Sequence, residues 1–170
     1  MTKAVTVSVN AATTIARIGT GAGFAVIIIA VIIQLLGRSG IVQPVIWSEE
    51  LTRFALLWLT AFGAGLGLRS GDLVNVDIVS EALPGRFPWA LRLFSAIVTL
   101  VFAALLIKPA LLFVKVGARQ TAPAMGIHMN WIHAAALVTL VFLCLFALLR
   151  VVAMLTGVEN GLPLKPAEDE

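Results

Sequence analysis

Apolar residues fall into four long runs along the chain, separated by shorter polar stretches. The runs extend from Ile18 to Leu36, from Leu51 to Leu68, from Trp89 to Leu112 and from Trp131 to Leu155. Each is close to the roughly 20 residues that an α-helix needs to cross a bilayer. The pattern predicts an all-α integral membrane protein with four transmembrane helices, forming a single membrane domain over residues 1–170. The first run lacks a small-residue cleavage pattern at its end, which favours a retained span over a secretory signal.

The connection between the second and third runs is the longest and the least loop-like. Val74, Ile78 and Leu83 recur there near helical spacing, while Asp77 and its polar neighbours take other positions. This spacing predicts a short amphipathic helix in the membrane interface, ended by the Pro-Gly pair at 84–85. The alternative is a solvated loop with chance periodicity.

Two further segments read as non-helical. The connection from Gly117 to Trp131 contains glycine and proline and is predicted to be irregular chain. Residues 157–170 are polar and contain proline, which predicts a flexible tail.

The composition agrees with a membrane protein. Hydrophobic residues make up 60% of the chain and charged residues 12%, with a mean hydropathy of +1.03, which leaves no room for a soluble domain. The single cysteine, Cys144, lies in the fourth run and can form no disulfide within the chain. No basic cluster interleaved with aromatic residues indicates nucleic-acid binding.

The distribution of Lys and Arg predicts the orientation, because cytoplasmic segments carry the excess of positive charge. An even number of spans places both termini on one side. The side of the termini carries seven basic residues and the other side carries four: Lys3, Arg17, Arg69, Arg86, Arg92, Arg150 and Lys165 against Arg38, Lys108, Lys115 and Arg119. Both termini are therefore predicted to be cytoplasmic.

The middles of the runs contain no charged side chain, which is poor material for a substrate or ion path. The sequence also offers no convincing catalytic or metal-binding residues. Glu49 and Glu50 point about 100° apart on a helix and do not face each other as an acid–base pair. His128 and His133 are five residues apart, off the one-face spacing of a helical metal site. We predict no catalytic residue, no metal site and no cofactor in this chain.

Charged residues cluster instead at the start of the second run, in the segment WSEELTRF. Ser48 is predicted to be the N-cap of the helix, and the acids Glu49 and Glu50 fall in its first turn, where negative charge meets the positive end of the helix dipole. Arg53 is four residues from Glu49 and three from Glu50, so either acid could neutralise it. With Trp47 as an aromatic interface residue, the cluster is predicted to anchor the helix at the membrane boundary.

Glycines in the first two runs have the spacing of helix-packing motifs. Gly63 and Gly67 form a small-xxx-small pair with Gly65 between them, and Gly19 and Gly23 form another. Such pairs allow close approach of two helix backbones, although glycine is common in membrane helices and chance is an equal explanation.

The order WSEELTRFALLWLTAFGAGLGLRSGDLVNVDIV, then ALPGRF, a third span, and TAPAMGIHMNWI before a fourth resembles the small membrane subunit of tripartite ATP-independent periplasmic (TRAP) transporters, the DctQ-like family. The resemblance is most specific at Trp47, Glu49, Glu50 and Arg53, followed by the glycine-rich span and Arg69. Asp77 belongs to the Val-Asp pair of the family pattern, whereas Asp72 stands where family members often have histidine.

The resemblance implies a subunit of the bacterial inner membrane with both termini cytoplasmic. It also implies two protein partners besides membrane lipids: a large membrane subunit that holds substrate and sodium ions, and a periplasmic binding protein that delivers an organic acid. The expected role is a non-catalytic scaffold. Trp47, Glu49, Glu50, Arg53, Gly63, Gly67, Arg69 and Asp77 are the expected anchor and interface residues.

Two other classes of function remain as alternatives. A self-sufficient four-helix multidrug exporter would need a membrane-embedded glutamate in its first span, and the run from Ile18 to Leu36 contains no acid. A membrane enzyme would need a convergent set of nucleophile, base or metal ligands, and the sequence offers none.

Overall fold

Helices account for all four predicted spans. The computed structural model describes residues 2–40, 43, 45–70 and 87–157, in which α1 is Thr2–Arg38, α2 is Trp47–Ser70, α3 is Phe87–Gly117 and α4 is Asn130–Leu155. Each is long and apolar enough to cross a membrane. The prediction of an all-α membrane protein with four transmembrane helices is confirmed. The predicted amphipathic helix after α2 and the C-terminal tail lie outside the described residues.

The first helix is longer than its apolar run. α1 begins at Thr2 rather than at the predicted Ile18. The hydroxyls of Thr13 and Thr14 donate to carbonyl oxygens four residues earlier, which satisfies their polar atoms within the helix. Ala12 is buried against residues of α2 and α4, so packing holds the polar first half of α1 in helical form.

The other helices also extend past the predicted limits. α2 begins at Trp47, ahead of the predicted N-cap Ser48 and of the apolar run that starts at Leu51, and α3 continues through Pro109 to Gly117 rather than ending at Leu112. Proline lacks the N–H that the helix would use, but membrane helices carry it more often than soluble ones do. Hydropathy marks the lipid-facing part of a helix and not its ends, which explains these differences.

The four described helices form an open row in the order α1, α2, α4, α3. α1 packs against α2, α2 against α4, and α4 against α3, while α1 touches α4 only slightly. Between α1 and α3 there is no packing in the described chain. Among the described residues, only the two middle helices therefore have neighbours on two sides, and this row is one helix thick over most of its length.

Small side chains dominate the buried positions. The main cluster joins α1, α2 and α4 through Ala12, Leu68, Phe146 and Ala147, and Leu100 of α3 packs against it. This cluster lies toward the end of the row where α1 begins and α4 ends. Alanine at the contacts lets helices approach closely, which is how membrane helices gain packing energy in a solvent as apolar as their own side chains.

Glycines make the closest approaches between the helices, but not all at the predicted positions. A Cβ at Gly19 would lie 2.5 Å from the ring of Phe62, and one at Gly23 would lie 3.2 Å from the Cα of Leu59. These contacts confirm close approach at the Gly19–Gly23 pair. A Cβ at Gly63 would meet nothing nearer than 3.9 Å, so that member of the predicted Gly63–Gly67 pair is not at a tight contact within the described chain.

Gly65, the residue between the predicted pair, is at a tight position in α2. A Cβ there would lie 2.7 Å from the ring of Phe146 and 3.2 Å from the Cβ of Phe142, both in α4. α2 lies between α1 and α4, and each of these neighbours requires small residues on a different face of α2. Gly65 is on the face toward α4.

Candidate interaction site at the hairpin face

Polar side chains join α1 to α2 at the end of the row where α1 ends and α4 begins. We call this end, which includes the α1–α2 connection and residues 118–129, the hairpin face. The side-chain nitrogen of Gln34 donates to the carbonyl oxygen of Ser48 at 2.9 Å and to Oγ1 of Thr52 at 2.8 Å. Gln34 thus ties α1 to the first turn of α2.

Ser48 is not the N-cap that the sequence predicts. α2 begins one residue earlier, at Trp47, and the Ser48 hydroxyl donates to the carbonyl oxygen of Val45 at 2.6 Å instead of accepting a helix N–H. Its side chain is 1% exposed. The serine therefore holds the connection against the helix start, because a buried hydroxyl needs a partner and the Val45 carbonyl is the one within reach.

The connection between α3 and α4 is an ordered hairpin rather than the irregular chain predicted. Thr121 and His128 form an antiparallel bridge, closed by hydrogen bonds from Ala122 N to Ile127 O at 2.8 Å and from Met129 N to Gln120 O at 2.9 Å. At its tip, Gly126 N donates to Ala122 O at 2.8 Å. Gly126 has φ of 68°, a conformation that glycine adopts at little cost.

Glu50 binds the tip of this hairpin. Its Oε2 accepts the backbone N–H of Met125 at 2.9 Å, and both carboxylate oxygens lie 3.1 Å from the N of Ala124. Pro123, which has no N–H, precedes these two donors, so the carboxylate takes the first free N–H groups of a single helical turn. A carboxylate at such a position is stabilised by direct hydrogen bonds and by the dipole of the turn.

The predicted pairs between Arg53 and the two acids are wrong for the described chain. Glu49 lies 3.5 Å from the guanidinium of Arg38, and Glu50 is occupied by the hairpin. The side chains of Arg38 and Glu49 are 77% and 56% exposed, so solvent weakens their pair. Arg53 is exposed and has neither an ion pair nor a side-chain hydrogen bond among the residues described.

An open groove of about 860 Å³ separates the helix start from the hairpin. Its charged lining consists of Glu49, Glu50 and Arg53, and apolar side chains come from Val45, Ile46 and Trp47. Pro123 and Ala124 close it on the hairpin side. Trp47 is 41% exposed and Ile46 is 78% exposed, so the groove is bordered by apolar surface.

The two histidines have separate structural positions. The Nδ1–H of His133 donates to the carbonyl oxygen of Phe113 at 3.0 Å, and its ring stacks on the Phe113 ring with centroids 3.7 Å apart. Gly117 leaves room for this contact, because a Cβ there would collide with His133 Nδ1. His128 belongs to the hairpin bridge. The described residues contain no group of three potential metal ligands.

The structure brings together Trp47, Glu49, Glu50 and Arg53 around one groove and places the other expected residues elsewhere. Gly63 and Gly67 lie farther along α2. Arg69 lies in the last turn of α2, while Asp72 and Asp77 fall outside the described residues. Sequence reasoning missed Gln34 and the hairpin amides. Gln34 could have been recognised as a lone amide in an otherwise apolar run. The hairpin amides could not have been found from local spacing, because they are more than 70 positions from Glu50.

Four apolar helices that expose most of their large hydrophobic side chains define a multi-pass membrane protein. The family described as "Tripartite ATP-independent periplasmic transporters, DctQ component" matches residues 27–157, more than half of the chain. The chain belongs to this family of transporter subunits.

One relative is a protein of Haemophilus influenzae strain Rd that is provisionally named a TRAP transporter small permease protein. It is 25% identical over 107 residues, which cover 61% of this chain and 65% of the relative. The matched region thus spans a little under two thirds of the relative's length.

Proposed function

We propose that the chain is a scaffold subunit of a TRAP transporter, in which it supports a large membrane subunit during sodium-driven uptake of an organic acid. A periplasmic binding protein would deliver that acid, and the sodium ions would bind in the large subunit. Membership of the DctQ family and the small-permease name of the relative support this proposal.

The open row of helices is the observation that carries the scaffold role. In the most apolar segment of each helix, 6% of the residues of α1 and 11% of those of α3 are buried. The corresponding share for α4 is 28%. Large exposed side chains such as Phe24 of α1 and Phe102 of α3 face outward. A row one helix thick offers long flat faces to a neighbouring subunit and little enclosed volume for a substrate path.

We propose that the hairpin face lies in the periplasm and that both termini lie in the cytoplasm of a bacterium, with the chain in its inner membrane. The excess of Lys and Arg on the side of the termini supports this orientation. A cysteine at Arg119, which is exposed beside the hairpin, tests it. A membrane-impermeant maleimide should label R119C in cells with a permeabilised outer membrane, and labelling only after lysis would place this face inside.

The hairpin face is also the proposed contact for the binding protein. Glu50 fixes the hairpin on α2, so the surface from Ala118 to Met129 is presented in one arrangement. A fixed surface loses less conformational entropy on binding than a mobile one. The carboxylate thus supports docking through the position of the hairpin.

Co-purification tests the scaffold proposal. The chain, expressed together with the large membrane subunit of the same transporter, should remain bound to that subunit through size-exclusion chromatography in mild detergent. Replacing exposed apolar residues by asparagine, first Phe24 and then Phe102, should identify the face involved. Separation of the two proteins under conditions in which each stays folded would contradict the proposal.

A further inference from the structure

The groove at the hairpin face contains a cation, Arg53, that forms no direct ion pair with any described residue, although two carboxylates line the same groove. Arg53 lines the groove and is exposed, without an ion pair or hydrogen bond among the described residues. It lies six residues after Trp47, which places it about 9 Å farther along the helix, inside the apolar span Trp47–Leu68. An unpaired guanidinium near hydrocarbon is costly, so this position calls for an anionic group at the membrane boundary.

The acids of the same groove disfavour a purely anionic ligand. Glu49 and Glu50 also line it, which gives its charged side chains a net charge of −1 with Arg53. Glu50 is engaged by two backbone amides of the hairpin. Glu49 has only the weak, exposed contact with Arg38 at 3.5 Å, and its carboxylate is available to a donor in the groove.

Apolar surface continues from the groove along the membrane. Leu56 and Leu57 lie three and four residues after Arg53, on the same side of α2, and are 55% and 47% exposed. At the other border, Ile46 and Trp47 are exposed at the start of the helix. A ligand with a charged head and long apolar chains matches a charged groove next to an apolar surface better than a soluble anion does.

We propose that this groove binds the headgroup of phosphatidylethanolamine, with the phosphate on Arg53 and the ammonium group on Glu49. Glu49 and Arg53 are four residues apart, so they project from one face of α2 about 6 Å apart along its axis. The phosphate and the ammonium group of this headgroup are joined by a short bridge and present the complementary pair of charges. Phosphatidylcholine has the same charges but no N–H donor for Glu49, and phosphatidylglycerol has no cation to offset the acids.

Native mass spectrometry of the purified full chain tests this assignment. The chain is delipidated in mild detergent and offered phosphatidylethanolamine, phosphatidylcholine and phosphatidylglycerol with identical acyl chains. We expect phosphatidylethanolamine to bind at least about tenfold more tightly than either of the others, the difference that one charge-assisted hydrogen bond provides.

Two variants separate the contacts. R53Q should weaken binding of phosphatidylethanolamine by about tenfold or more, because the phosphate loses its cation. E49Q should weaken binding of phosphatidylethanolamine more than binding of phosphatidylcholine, because the first lipid loses both a charge-assisted hydrogen bond and the attraction between charges, whereas the second loses the attraction alone. R119Q, which removes an exposed arginine of the hairpin face outside the groove, is the matched control and should bind like the wild type.

Several results would overturn the proposal. Equal binding of the three lipids by the wild type, a preference for phosphatidylglycerol, or unchanged binding by both R53Q and E49Q would each exclude the headgroup assignment. Binding that requires the large subunit would assign the groove to the subunit interface instead. If R53Q does not purify, E49Q decides the question, because Glu49 is exposed and the change affects only its weak, exposed contact with Arg38. The test does not depend on transport activity, so it is independent of the scaffold proposal.

Discussion

Glu50 Oε2 accepts the backbone N–H of Met125 at 2.9 Å, across 75 positions of the chain. This contact, with the neighbouring one to Ala124, joins the first turn of α2 to the tip of the hairpin between α3 and α4. The Glu50 carboxylate, in the first turn of α2, thus caps the turn at the hairpin tip. The two middle helices of the row and the hairpin are held as one unit at this face.

Replacing Glu50 by alanine should release the hairpin from α2. The change removes two charge-assisted hydrogen bonds, each worth about 1.5–3 kcal/mol, and leaves two N–H groups without their acceptor. Hydrogen–deuterium exchange over residues 120–129 should therefore become about tenfold faster or more in E50A. E49A removes the same charge one residue away and should leave this exchange unchanged. Equal protection in E50A and the wild type would contradict the capping role.

Gln34 should contribute to the stability of the α1–α2 pair. Q34A removes the donor to Ser48 O and Thr52 Oγ1, and the free energy of unfolding should fall by about 1–3 kcal/mol. Denaturant unfolding of the detergent-solubilised protein measures this difference. The control is Q43A, which truncates an exposed glutamine in the nearby connection. Equal stability of the two variants would show that the Gln34 contacts do not hold the helices together.

Replacing Gly65 by alanine should destabilise the protein, whereas the same replacement at Gly63 should be tolerated. G65A places a methyl group 2.7 Å from the ring of the buried Phe146, and the resulting strain should cost about 1–3 kcal/mol. In G63A the nearest atom is 3.9 Å away, and the higher helix propensity of alanine should leave stability equal or raised. Thermal unfolding of the two variants compares them directly. A larger loss in G63A than in G65A would contradict the close α2–α4 contact at Gly65.

His133 should stabilise the junction between α3 and α4. H133A loses the hydrogen bond to Phe113 O and the stacked ring, and should reduce the free energy of unfolding by about 1–3 kcal/mol. H133F retains a ring for stacking and should recover part of the loss. H128A, at the exposed hairpin bridge, provides the comparison. An H133A protein as stable as H128A would exclude this role.

The sequence predicts the helices well and their contacts poorly, for a physical reason. Hydropathy along the chain identifies segments that lipid can surround, and all four were found. It does not identify a polar segment that becomes helical by packing, as the first half of α1 does around Ala12.

The site shows the same division between local and long-range information. Clustering of Glu49, Glu50 and Arg53 at one helix start is visible in the sequence, and the groove confirms that they lie together. Helical spacing favoured ion pairs with Arg53, but each acid has a partner outside α2 instead. Spacing rules consider only neighbours on one helix, whereas the hairpin amides reach Glu50 through the tertiary fold.

Sodium-driven uptake in proteoliposomes tests the scaffold role most directly. Vesicles are prepared with the large subunit alone, with this chain alone, and with both, and uptake of the organic acid is measured with the loaded binding protein under an imposed sodium gradient. We expect uptake only, or at least severalfold faster, when both subunits are present, and none with this chain alone. Substrate transport by vesicles that contain this chain without the large subunit would contradict the account.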